Sequence, residues 1–143
     1  MAKKLLILMA IFLIIAIGYC AFRNYVKIPS EGRITTINLK AYQDSQCLIP
    51  LTSINWGILS PSSNRSYTAY LLNYGNVNTT LSMKTQNWNP ENATNYLTLT
   101  WDAEGKILEP NKPLEVMFTL MVSSDIEGIT DFSFEILITA LEY

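Results

Sequence analysis

The chain contains no histidine. That removes the commonest general base, the Ser-His-Asp and Cys-His arrangements, and the usual nitrogen ligand of zinc or copper. Cysteine is almost as scarce, with Cys20 inside an apolar run and Cys47 the only thiol beyond it. One thiol cannot build a zinc site, and Cys20 in lipid cannot pair with Cys47. Cys47 is left as a buried, idle thiol or as one half of a bridge between chains. No G-x-S-x-G, P-loop or G-x-G-x-x-G pattern occurs. Positive charge is also sparse: from Arg23 onward eight Lys/Arg stand against twelve Asp/Glu. A nucleic-acid partner needs a concentrated basic face, so none is expected.

Carboxylates are the remaining chemistry. Asp125, Glu127 and Asp131 share a loop, yet their spacing matches no EF-hand, and the reading is a solvated turn. Asp102 and Glu104 read likewise as the polar tip of a hairpin. The sequence therefore predicts no catalytic residue, no cofactor, no metal site and no small-molecule substrate; the chain is not expected to be an enzyme.

What the chain does have is one long hydrophobic run. Leu5 to Phe22 is eighteen residues without a charge, behind Lys3-Lys4. A membrane span needs about 17 to 25 such residues, a secretory signal about 7 to 15. The length favours an uncleaved anchor over residues 1–22. Ala16-Ile17-Gly18 ahead of Tyr19 supplies a small-x-small cleavage site, so removal between Gly18 and Tyr19 is the alternative. Ile17-Gly18-Tyr19-Cys20 is a faint lipobox with bulky Tyr19 where a small residue belongs, which makes lipidation at Cys20 a third option. Three sequons, at Asn64, Asn78 and Asn92, are possible N-glycosylation sites and favour an outside location for the chain beyond the run.

Residues 23–33, with Pro29, Ser30 and Gly32, read as a juxtamembrane linker reaching at most about 35 Å. Residues 34–143 then form one domain in which period-two alternation dominates. Ile37, Leu39 and Ala41 share a face of a first strand, Asp44-Ser45-Gln46 turns, and Leu51–Trp56 reads as a second strand. Tyr67, Ala69 and Leu71 alternate up to Asn73-Tyr74-Gly75-Asn76, where Gly75 and the two asparagines are expected at positive φ. Val77, Thr79, Leu81 and Met83 come next, on one face of another strand. Asn87–Ala93 reads as a turn or two of helix with Asn89 as N-cap and Pro90 in the first helical position. Leu97, Leu99 and Trp101 alternate, then Leu114 to Val122, then Phe132 to Ile138. Trp56 and Trp101 are expected in the core, with Trp88 in a loop. Seven to eight short strands with regular turn signals predict an all-β, antiparallel, immunoglobulin-like sandwich, with a closed barrel as the other possibility.

The stretch Thr52-Ser53-Ile54-Asn55-Trp56-Gly57-Ile58-Leu59-Ser60-Pro61, with Asn73-Tyr74-Gly75-Asn76, Asn87-Trp88-Asn89-Pro90, Leu99-Thr100-Trp101-Asp102 and Gly128-Ile129-Thr130-Asp131-Phe132-Ser133-Phe134, resembles a set of small archaeal surface proteins. The resemblance spans nearly the whole domain and implies a single-pass or secreted β-sandwich, while saying little about function. Pro61-Ser62 departs from that family's Pro-Gly. In architecture the family is similar, more distantly, to fibre subunits of archaeal pili and bacterial biofilm matrix, in which a strand of one subunit completes the next. Two expectations arise. One is a membrane-tethered, non-enzymatic extracellular module that binds a partner protein or glycan, in surface structure or adhesion. The other is a cleaved, secreted, pilus-like subunit whose segment Tyr19–Lys40 becomes a donor strand.

Overall fold

The alternating pattern becomes strands in a computed structural model, which describes residues 28–143. The chain divides into two units, Met1–Arg33 and Ile34–Tyr143. Of the first, residues 28–33 are described; they are exposed and outside regular structure. The run Leu5–Phe22, the cleavage pair Gly18-Tyr19 and Cys20 lie outside the described residues. Among the described residues no helix is long and apolar enough to cross a membrane.

The second unit is all-β, with seven strands among the described residues: β1 Leu39–Tyr42, β2 Asn64–Asn73, β3 Thr79–Asn89, β4 Leu97–Trp101, β5 Ile107–Leu108, β6 Leu114–Val122 and β7 Ser133–Glu142. They form two sheets, in the orders β1-β2-β6-β4 and β5-β3-β7, and every pairing is antiparallel. The register is what alternation requires. Ala69 pairs with Val116, Tyr67 with Phe118, and Trp101 with Phe118 on the far side of β6, so apolar side chains of three strands share the inner face. Leu71, Val116, Phe118 and Leu120 of the first sheet and Leu81 and Leu108 of the second make one buried cluster. Burial of this apolar area, at about 25 cal/mol per Å², is the main force holding the sheets face to face.

A second, smaller cluster sits on the opposite face of the first sheet. The chain after β1 turns at Asp44, whose carboxylate accepts the N–H groups of Leu48 at 3.1 Å and Ile49 at 2.7 Å, and folds back so that Cys47 packs with Tyr42 and Leu72. Cys47 is buried and its thiol pKa is pushed up, first by burial, then by the Asp44 charge. Such a thiol is poorly nucleophilic.

The Tyr42 hydroxyl shares a hydrogen bond with Tyr74 at 2.9 Å; that bond first, and burial second, raises its pKa to about 12. Tyr70 is raised too, first by its bond to the Glu115 carboxylate. For an acid whose folded pKa exceeds its unfolded value of 10.0, the stabilisation is complete below about pH 10 and lost as pH climbs through about 12. Asp44 and Asp102 have the opposite sign. Their carboxyl pKa values are lowered chiefly by the backbone N–H groups of Ile49 and Met117, so their contribution is present above about pH 4 and lost in acid. Urea midpoints measured from pH 9 to 12 should fall for the native chain and fall less for Tyr42→Phe; equal pH dependence in the two would remove Tyr42 from the explanation.

Several expectations change. Leu51–Trp56 is not a strand: Leu51 donates to the Ala41 carbonyl at 2.9 Å, and Thr52–Trp56 joins neither sheet. Pro50 offers no donor where pairing would begin, and the spacing Leu51, Ile54, Trp56 breaks period two. Trp56 is buried nonetheless. The helical stretch is a single 3-10 helix, Glu91–Asn95, in which Pro90 is the N-cap with extended backbone and no side chain caps the end. Asn89 is instead the last residue of β3, which runs on past the expected break. Trp88 therefore belongs to a strand. A register shift between Gln86 and Asn89, with Asn87 at a φ of 54°, accommodates this end of the strand. Gly75, Asn73 and Asn76 are not at positive φ. Gly75 is required for space: a Cβ there would stand 2.0 Å from the Thr36 carbonyl oxygen. Ser62 does take a left-handed φ of 61°, the conformation glycine adopts most readily.

Candidate functional site

The two sheets do not close evenly. Among the described residues β7 pairs with β3 along one edge only, and no strand pairs with its other edge. Ile136, Ile138 and Ala140, paired with Thr85, Met83 and Leu81, point inward with Phe134, which packs against the core, yet all four are only half-buried. Their counterparts on β6, Val116, Phe118, Leu120 and Val122, are all buried. Among the described residues the interior is thus uncovered along β7.

The opening is a groove of about 430 Å³. One wall is Phe134 to Ile138 of β7, the other is Leu51 to Ile54, and Ala41, Trp56 and Phe118 lie at its base. The unpaired course of Thr52–Trp56 creates it, since a strand there would have closed the flank. Four aromatic rings run along one end. Trp88 stacks on Phe134 at 4.1 Å, and Phe134 lies 6.2 Å from Phe132 and 6.4 Å from Trp56, all within 18° of parallel. A second hollow of about 320 Å³, lined by Ile54 to Gly57 and Thr130 to Phe132, adjoins this end.

The groove holds one ionisable side chain, Glu135, whose carboxylate accepts the amides of Gln86 at 2.9 Å and Asn87 at 2.7 Å. A single carboxylate held by two neutral amides has no partner for proton transfer. It supplies negative charge at the rim.

The two acidic residues of the hairpin tip are structural. Asp102 accepts the Met117 N–H at 2.8 Å and pairs with Lys106 at 3.2 Å. Glu104 accepts the indole N–H of Trp101 at 2.8 Å and the Met83 N–H at 3.1 Å, and so joins β4 of one sheet to β3 of the other. The hairpin tip is a clasp, which spacing alone did not reveal. Trp101 is only half-buried, stacked on Phe118 at 5.9 Å. Asp125 and Asp131 bond to their neighbours Ser124 and Thr130, and among the described residues no three His, Cys, Asp or Glu converge as a metal site.

All three sequon asparagines are exposed: Asn64 opens β2, Asn78 precedes β3 and Asn92 lies in the 3-10 helix. None lines the groove. The sequence had shown most groove residues, though not Gln86, in stretches read as strands; the gap between them had no sequence signal. Comparison with models of known families, with characterised proteins and with solved structures finds no match for this chain.

Proposed function

We propose that this chain is a non-enzymatic, immunoglobulin-like module of the cell exterior, held at the membrane by Leu5–Phe22, which acts by contact with other proteins in surface structure or adhesion. The observation that carries the reading is the uncovered flank at β7: an apolar groove beside a free strand edge, with one carboxylate and no acid–base pair. Free edges of this kind take added strands, whose main-chain bonds supply affinity and whose alternate side chains supply specificity. The archaeal surface proteins that the sequence resembles fit the same reading. The exposed sequons agree with an outside location, and the excess of acidic residues disfavours nucleic acid. In fractionated cells the protein should travel with membranes at its full precursor mass, with Asn64, Asn78 or Asn92 carrying glycan. Recovery of only a shortened, freely soluble form would remove the tether.

That outcome would favour a second reading, which the same flank supports. Here the run is cut between Gly18 and Tyr19, and the mature chain is a subunit of a secreted, pilus-like fibre assembled by strand exchange.

A further inference from the structure

We propose that Asn78 carries a glycan whose first sugar lies on Tyr143 and covers the apolar outer face of the sheet β5-β3-β7. This rests on the exterior location proposed above and holds for either form of it, tethered or cleaved.

The site is set by strand register. Thr79 pairs with Glu142 and Thr80 with Leu141, and one step further the Tyr143 N–H donates to the Asn78 carbonyl at 3.0 Å, so Asn78 and Tyr143 stand opposite each other. Side chains so placed share a face, with Cβ atoms about 4.5 to 5.5 Å apart. That face is the outer one. Thr79 and Leu81 are buried and point into the core, which turns Asn78 and Thr80 outward and, across the pairing, Leu141 and Tyr143 with them. Ile107 joins from β5, since it too pairs with Thr80.

Tyr143, Leu141 and Ile107 are 79%, 62% and 42% exposed, and Leu137 continues the row along β7. Between them stand only the hydroxyl side chains of Thr80, Ser82 and Thr139. Apolar side chains grouped on one exposed face mark a contact surface.

What makes the contact follows from Asn78. The neighbouring Asn73 and Asn76 side chains are committed to backbone carbonyls, whereas that of Asn78 is exposed and makes no hydrogen bond among the described residues. Its amide nitrogen is open to linkage through Asn78-Thr79-Thr80. A sugar ring has an apolar face of C–H bonds and a rim of hydroxyls, which suits a tyrosine ring beside leucine and isoleucine with threonine and serine hydroxyls among them. Attached at Asn78, it needs to reach only the adjacent position. A protein laid flat on the same face would collide with it. The other sequons lack this setting: Asn64 faces Met121, which offers no ring, and Asn92 lies in the 3-10 helix, outside both sheets.

Glycopeptide mass spectrometry of the full-length protein from its own cells reads occupancy, and thermal melting of that protein in detergent reads the contact. Asn78 is expected to carry glycan. Tyr143→Ala should then lower the melting temperature by about 2 to 6 °C, the range for one aromatic contact in a domain of this size. Asn78→Gln should lower it as much, with no further loss when the two are combined. Thr80→Val, which removes the sequon and keeps Asn78, should match Asn78→Gln. In full-length protein made in a host without N-glycosylation, Tyr143→Ala should have no such effect. An outward-facing chain with Asn78 bare would overturn the proposal and leave the exterior location standing. So would a Tyr143→Ala effect that is the same with and without glycan, or one that appears only at high protein concentration, which would assign the face to contact between copies. A chain facing the cytoplasm with all three sequons bare would remove the exterior location, and the proposal with it.

Discussion

Replacing Gly75 with alanine should destabilise the domain by about 3 kcal/mol or more, at the upper end of overpacking penalties. The added Cβ would meet the Thr36 carbonyl oxygen at 2.0 Å and the Asn73 side-chain oxygen at 2.7 Å. Asn73 is enclosed, and Thr36, although exposed, is tied by hydrogen bonds. Asn73 is buried and its side chain is fully used, accepting the Gly75 N–H at 2.7 Å and donating to the Val77 carbonyl at 2.8 Å. Thr36 is held from the other side, where its carbonyl accepts the Asn76 N–H at 3.0 Å and its own N–H donates to the Asn76 side chain at 3.0 Å. The clash therefore breaks hydrogen bonds as well as packing, each worth about 1 kcal/mol. Melting should fall by more than about 10 °C for a domain of this size. Hydrogen exchange adds a test of place: amides of residues 36–38 should lose protection before those of β6. An unchanged melting temperature would show that the approach of Thr36 to Gly75 does not matter.

Phe118→Ala should cost about 3 to 5 kcal/mol. Phe118 is 1% exposed at the centre of β6, stacks on Trp101 and lies at the base of the groove. Most large-to-small changes leave a closed cavity. Here the void would open onto the groove, so water could enter and part of the cavity penalty would be relieved, which favours the lower end of the range. Urea denaturation measures the loss, and Leu81→Ala, whose site is fully buried and does not line the groove, is the comparison. A loss below about 1 kcal/mol for Phe118→Ala would show that the core is organised around other residues.

The strands were legible wherever one face is buried and the other wet. β6 is the clearest case: Leu114, Val116, Phe118, Leu120 and Val122 alternate in the sequence, and four of the five are buried. β2, β4 and β7 were read on the same basis, with small differences at their ends. The errors share one cause. Leu51–Trp56 has strand-like composition, but a strand exists only through a partner, and among the described residues no backbone bonds to Thr52–Trp56. Asn89-Pro90 has the composition of a helix start, yet the pairing of Asn89 with Ser133 keeps β3 extended to that point. Gly75 was read for backbone freedom, when the demand comes from a residue nearly forty positions earlier.

Glu104 and Glu135 show the same limit among polar side chains. Both read as acids on turns or strand faces. One proves to join the two sheets, and the other to rim a groove. By itself the sequence determined the all-β class, the faces of most strands and the absence of histidine chemistry, because these depend on residue type and on a period of two. Only the tertiary structure decided which edge stays free. That depends on where Thr52–Trp56 runs relative to β7, a long-range choice between pairing and packing that no local pattern encodes.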